Sequence, residues 1–493
     1  MADTGENFQE RMTAMRDPHH WTATEALAEL RARRIGAVEL LDHMMARQAR
    51  LDGAVNAVIA TDPERARAAA RAADAASPVG ALHGLPMTIK ETWDLVGFTT
   101  TAGIPDLAGN HPTRDADAVA RLKAAGAVIW GKTNVPLAAA DHQSVNPLYG
   151  LTRNPWDAGR SAGGSSGGAA AALAAGFTAL ELGSDIGGSI RIPAHYCGVW
   201  GLKPSYGLIS CRGHVPPGPG ALSSAPLSVG GPLARSTADL RLAFGLLAGG
   251  LPGWALDLPP ARVQGLKGAR IAVWTGGYPV DPAYAAAIEA YAHALAAEGA
   301  VVTHLDTMPA PMVGADELYL RLLFAVIGAE SPPQELAGYA AMAAARPDDA
   351  IVQTIAGSVR ASMAEVAHLI EAQAQVIAAW DQWFTGFDAL LAPVSMGQAF
   401  PHQVSDGFGP VPQMARVLEV GGVAQPYMKN LLWPGIATFA HLPSLVRPIP
   451  GGVAGLPTGV QLIGPALGEN TLFAIDEACT TVFGRFVAPG GFE

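Results

Sequence analysis

Three short segments hold residues whose types and spacing could carry acyl transfer. The first is Gly84-Leu85-Pro86-Met87-Thr88-Ile89-Lys90-Glu91, where a lysine ends an apolar run. A strand-end lysine can simply reach solvent. Held in an apolar site, its ammonium is disfavoured and the neutral amine becomes a base. Being mostly neutral near pH 7 requires a pKa fall of about three, a cost of roughly 4 kcal/mol. The second segment is Gly163-Gly164-Ser165-Ser166-Gly167-Gly168, ahead of an alanine-rich run. Its glycines permit a tight backbone and close approach of other chain segments, or mark only a turn before a helix. The third is Gly183-Ser184-Asp185-Ile186-Gly187-Gly188-Ser189-Ile190-Arg191-Ile192-Pro193. Here Ser189 stands among small neighbours that let a carbonyl approach. The N–H groups of Ile186, Gly187, Gly188 and Ser189 could converge on an oxyanion. Asp185 and Arg191 are spaced to pair across the loop and hold it rigid.

Two motif matches point elsewhere and fail on context. Gly126 to Thr133 spells G-x-x-x-x-G-K-[ST]. A phosphate-cradling loop needs free N–H groups and a helix starting at the lysine. Here the four middle residues read as an apolar strand, and Pro136 follows soon after. Gly164 to Gly168 spells G-x-S-x-G, but the turn-like stretch Asn154 to Arg160 precedes it where a nucleophile elbow needs a strand. The thirteen histidines are scattered, and Cys197, Cys211 and Cys479 are far apart. Neither a metal site nor a disulfide framework is expected.

The elements that must position these segments alternate in type. Thr22 and Glu25 make a capping box for a first helix, and Val38, Leu41 and Met45 give a second its apolar stripe. A third covers Asp62 to Ala76. Apolar runs at 85–89, 127–130, 178–182, 271–274, 389–391 and 458–463 read as strands. Runs at 116–125, 169–175, 282–298, 316–327 and 363–384 read as helices. This alternation predicts an α/β fold with a largely parallel or mixed sheet. The Pro/Gly-rich stretch Val215 to Gly220 reads as a surface loop near a site.

Composition narrows the functional class. The chain has 493 residues, 49% of them hydrophobic and 15% charged, enough apolar material for a large core. A net charge of −11 argues against a general nucleic-acid binder. The first twenty residues are polar, with no apolar core of a signal peptide, and no run reaches the length of a membrane span. A cytoplasmic protein without membrane attachment is expected.

Taken in order, the lysine segment, G-G-S-S-G-G and D-I-G-G-S-I-R-x-P closely resemble the amidase signature family, with Ser165 and Ser189 standing 24 positions apart as they do there. The resemblance runs almost end to end, through Gly131-Lys132-Thr133-Asn134, Asn154-Pro155-Trp156, Gly201-Leu202-Lys203-Pro204-Ser205 and Gly459 to Pro465. It implies an N-terminal tail over 1–20 and one domain over 21–493, with a mixed central sheet flanked by helices on both sides. Within that domain it implies a helical segment over 21–77, a catalytic core over about 80–250 and a variable pocket region over about 310–385. It makes Ser189 the nucleophile, Ser165 a bridging serine preceded by a cis peptide from Gly164, and Lys90 the base. Lys90 would take a proton from Ser165, which takes one from Ser189, and the proton would pass to the leaving amine. No metal or cofactor is implied. Ala162 stands where proline is frequent and Ser184 where threonine is frequent, both mild departures.

The implied pocket walls are Ala138 to Gln143, Cys211 to Leu222 and Leu318 to Ala329, with Tyr319, Leu323 and Phe324 among them. Their apolar character favours an uncharged aryl or alkyl amide, with carbamates and esters open to the same chemistry. The alternative is a glutamine-using component of a tRNA-dependent amidotransferase complex. Against it, Ser223 to Ser228 lacks the S-L-D run of many such members. The expected partner is a small-molecule amide or carbamate. A homodimer is compatible with the resemblance.

Overall fold

The structure is a computed structural model that describes residues 17–249, 256–404 and 407–493. The proposed tail therefore lies almost wholly outside the described residues. Strands in chain order are β1 (Val58–Thr61), β2 (Pro86–Lys90), β3 (Val128–Thr133), β4 (Leu180–Asp185), β5 (Trp200–Lys203), β6 (Val229–Ala234), β7 (Arg270–Val273), β8 (Val301–His304), β9 (Ala389–Pro393), β10 (Ser444–Pro448) and β11 (Gly459–Ile463). The principal helices are α1 (Ala23–Arg31), α2 (Ala37–Leu51), α3 (Pro63–Ala75), α4 (Asp117–Ala124), α5 (Gly167–Ala174), α6 (Arg191–Cys197), α7 (Thr237–Leu247), α8 (Pro282–Ala297), α9 (Ala315–Glu330), α10 (Pro333–Ala345), α11 (Ala350–Ser358), α12 (Met363–Trp383), α13 (Leu432–Phe439) and α14 (Glu469–Phe483).

The large sheet runs β8-β7-β9-β11-β10-β5-β6-β4, and a small one runs β1-β3-β2. Both are mixed. Within them, β7 is parallel to β8 and β9, and β2 to β3, while the remaining pairs are antiparallel. The two sheets meet where Thr88 of β2 reaches across to β4 and the residues just before it. Its amide donates to Thr178 Oγ1 at 3.1 Å, and its hydroxyl donates to Glu181 Oε1 at 2.6 Å.

Strand periodicity explains why both faces of the large sheet are covered. Along β9, Ala389 and Leu391 point into one apolar cluster and Leu390 and Ala392 into the other. The first face also receives Leu240 and Phe244 of α7, Ile288 of α8 and Leu472 and Ile475 of α14. The second receives α5, whose alanines are all buried, together with Tyr319 of α9 and Ile436 of α13. A helix apolar all round must be buried all round, and α5 is.

The N-terminal helices form as their caps dictate, with the full Thr22–Glu25 box on α1 and Asp62 capping α3. The segment read as helical nevertheless contains β1, which pairs antiparallel with β3. β6 contains Gly230-Gly231-Pro232, a turn-like run. It is a strand because β4 and β5 bond to it from either side. The three cysteines are free and buried. Among the described residues, no helix is long and apolar enough to cross a membrane.

Candidate active site

The three chemistry-bearing segments converge at the C-terminal ends of β2 and β4. Lys90, the last residue of β2, is fully buried. Its Nζ lies 2.7 Å from Ser165 Oγ, 2.8 Å from Ser184 Oγ and 3.5 Å from the Ser184 carbonyl. Burial pushes its pKa down to about 7, against the attraction of Asp185 and Glu181. At neutral pH a large fraction of the amine is therefore uncharged. The peptide bond that enters Ser165 from Gly164 is cis. A Cβ at Gly164 would collide with the Asp141 carbonyl oxygen, so only glycine admits this close passage. Ser166 is engaged by neighbouring backbone. Its amide donates to the Ser189 carbonyl at 3.0 Å and its hydroxyl to the Ser184 carbonyl at 3.3 Å.

The loop from Asp185 to Arg191 is fixed by a buried ion pair. Arg191 Nε and Nη2 donate to the two Asp185 oxygens at 3.0 and 2.9 Å. Burial alone would raise the Asp185 pKa, but the Arg191 charge holds it well below the usual carboxylate range. Arg191 also donates to the Pro434 carbonyl and Thr438 Oγ1, both at 2.7 Å, tying the loop to α13. Of the four amides expected to face an oxyanion, Gly188 is otherwise engaged, donating to Asp185 Oδ1 at 2.9 Å. A carboxylate three residues upstream is the nearer acceptor. Among the described residues, the amides of Ile186, Gly187 and Ser189 meet no protein acceptor.

Ser189 opens onto a cavity of about 520 Å³, mouth included. Leu323, Phe324 and Ile327 of α9 form one wall, and Ala139 to His142 another. These lie within two of the three expected walls. The third, Cys211 to Leu222, contributes nothing to the cavity lining, and a segment not anticipated, carrying Gln413, Tyr427, Met428 and Leu431, takes its place. Tyr319 is also off the lining, buried on α9 with its hydroxyl 3.5 Å from the Ile186 carbonyl. The cavity's acid, Asp141, is neutralised by Arg416 at 2.7 Å and receives the Tyr427 hydroxyl at 2.6 Å.

His142 braces the Asp185 to Arg191 loop. Asn430 Nδ2 donates to its Nδ1 at 3.1 Å, so its Nε2–H donates to the Gly187 carbonyl at 3.1 Å. Burial lowers its pKa to about 4. Among the described residues no hydrogen bond joins the hydroxyls of Ser165 and Ser189, so the protein's own bonds link Lys90 to Ser165 but not onward.

Most of the misleading motif at Gly126 to Thr133 is strand β3, from Val128 onward, and Lys132 is spent on the Thr99 carbonyl at 2.6 Å and on Thr100 Oγ1 at 3.0 Å. Among the described residues one set of potential metal ligands does converge, Asp17 with His19 and His43, but it does not line the cavity.

Sequence reasoning missed two residues at Lys90. Glu181 is an acid inside a buried strand, its pKa raised by burial to about 8. Its signal is a carboxylate within the apolar run Ala179 to Leu182. His214 sits in the stretch read as a pocket wall and instead backs Ser184, at 2.8 Å.

The sequence model of the family described as Amidase matches residues 39–473. A relative in Anaeromyxobacter sp. (strain K), named as a component of glutamyl-tRNA(Gln) amidotransferase, is 33% identical over 94% of this chain and 96% of its own length. A Pseudomonas sp. (strain ADP) protein, AtzE, named as a component of 1-carboxybiuret hydrolase, is 34% identical over 90% of this chain and 95% of its own. A solved chain, described as part of a vestigial protein complex bearing on the origins of an s-triazine catabolic enzyme, superposes with TM-score 0.77. It is 31% identical, over 95% of this chain and all of that one.

Proposed function

Because the chain belongs to the amidase (amidase signature) family, enzymes acting on carbon–nitrogen bonds, we propose that it hydrolyses uncharged amides through an acyl-enzyme on Ser189. Aryl and alkyl amides fit best, with carbamates and esters as neighbours in the same chemistry. The observation that carries this reading is a buried lysine of pKa about 7, 2.7 Å from Ser165, beside a mostly apolar cavity that Ser189 lines.

Lys90 takes the Ser165 proton as Ser165 takes that of Ser189, and the Ser189 oxygen attacks the carbonyl. The Ser165–Ser189 link forms when substrate fills the cavity, since catalytic hydrogen bonds often tighten only in the occupied complex. The developing oxyanion is met by the unpaired amides of Ile186, Gly187 and Ser189. The proton then returns through Ser165 to the leaving amine, which an amide needs far more than an ester. Water attacks the acyl-enzyme by the reverse relay. Among the described lining residues the acid, Asp141, is already paired to Arg416, which disfavours an ionic substrate.

A serine-directed phosphonate applied to the purified chain, followed by peptide mapping, tests the nucleophile. An adduct on Ser189 is expected, and a folded but unlabelled protein would overturn the reading. Turnover of an anilide, a carbamate and a charged primary amide tests the substrate class. A charged amide as much the best substrate would refute it. The relatives named as components of an amidotransferase favour a second reading, in which this chain works with protein partners and has glutaminase activity. Efficient amide hydrolysis by the isolated chain would count against that second reading.

A further inference from the structure

Resting on that reading of Lys90 as the base, we propose that His214 is a positioning residue that sets the direction of the hydrogen bonds around Lys90, so that its lone pair faces Ser165. The argument is a count of protons. His214 Nδ1 lies 2.8 Å from the Pro216 carbonyl. A carbonyl only accepts, so Nδ1 carries a proton. The ring is buried, with its edge against Trp93 at a centroid distance of 4.7 Å, and burial keeps it neutral at pH 7. Its Nε2 is then bare and must accept. The donor in range is Ser184 Oγ, at 2.8 Å.

A hydroxyl has one proton. With that proton on His214, Ser184 Oγ meets Lys90 Nζ, 2.8 Å away, as an acceptor. A neutral amine has two N–H bonds and one lone pair. One N–H goes to Ser184 Oγ, and the second faces the Ser184 carbonyl at 3.5 Å. The lone pair remains for Ser165, at 2.7 Å. Without His214, the Ser184 proton is free to turn to Lys90 and occupy the lone pair. Ser165 would then meet an N–H, the wrong partner for a hydroxyl that must give up its proton. His214 is not among the residues lining the cavity, and its ring bonds to the Pro216 carbonyl and Ser184 Oγ rather than to Ser189, so its effect passes through the Ser184 oxygen.

This predicts coupling rather than simple damage. His214→Leu should lower kcat for a good amide by about ten- to hundredfold, part of what general-base catalysis supplies, with KM unchanged. His214→Gln, whose carbonyl can accept from Ser184, should recover most of that loss. In a Ser184→Ala background, His214→Leu should cost nothing further. An unaltered kcat in His214→Leu would overturn the inference. So would the same fold-loss with and without Ser184, because that pattern means the ring acts through packing. Phosphonate labelling separates the two levels. A wild type labelled on Ser189 with an unaltered His214→Leu overturns this inference alone. A folded wild type that takes no label overturns the reading beneath it.

Discussion

Replacing Lys90 with methionine tests the central electrostatic claim without reference to any substrate. The folded-state pKa of Lys90 is about 7, against 10.5 for a free lysine, with burial the chief cause. Between these values the unfolded chain holds a proton that the native protein has shed. Linkage then makes native stability rise with pH across that window, by about 1.4 kcal/mol per pH unit. Lys90→Met lacks this contribution. Going from pH 7 to pH 9, the wild type should gain on the variant by about 2 kcal/mol, slightly under two full steps because Lys90 is half protonated at the start. Glu181, which burial raises so that it also titrates near this range at about 8, is held down by the Lys90 charge; without that charge its pKa rises further, so the variant loses more stability on going to pH 9 and the difference shifts in the same direction. Asp185, the other charge acting on Lys90, stays ionised throughout. The assay is denaturant unfolding of both proteins at the two pH values, compared through the difference of differences. A difference that does not change with pH would refute the depressed pKa. The base assignment would fall with it.

The same group fixes the kinetics. kcat/KM for an amide should rise with pH through about 7 and level off above, because only the neutral amine accepts a proton. A profile flat from pH 5 to 9 would contradict this. Lys90→Ala should lose amide turnover more completely than ester turnover, read from parallel assays on matched substrates, since only the amine leaving group demands a proton. Asp185→Asn leaves Arg191 buried without its counter-charge, and should cost about 3–5 kcal/mol in denaturant unfolding. Phe324→Ala should raise KM for an anilide by about tenfold through lost apolar contact worth ~1.4 kcal/mol, leaving kcat nearly intact.

Sequence alone determined what each segment is made to do locally. An apolar strand ending in Lys90, a glycine run that only a crowded backbone requires, and Asp185 and Arg191 six positions apart are properties of short stretches. They are written in residue order because the forces involved, strand pairing, glycine's freedom and a loop-spanning ion pair, act over short range. The α/β alternation is legible for the same reason. Tertiary structure decided which stretches meet. Ser184 and His214 are 30 positions apart, and their contact exists because the stretch Gly213 to Val215 bonds back to Thr92 to Asp94, just beyond Lys90. The cavity's remaining side comes from Gln413 to Leu431, distant in sequence from every other wall. The Gly188 amide turned to Asp185, rather than toward an oxyanion, because the folded loop offered it a nearer acceptor. Even the lysine's role needed the fold. An amine becomes a base at neutral pH only when packing from several segments removes water, and no single stretch of sequence can do that.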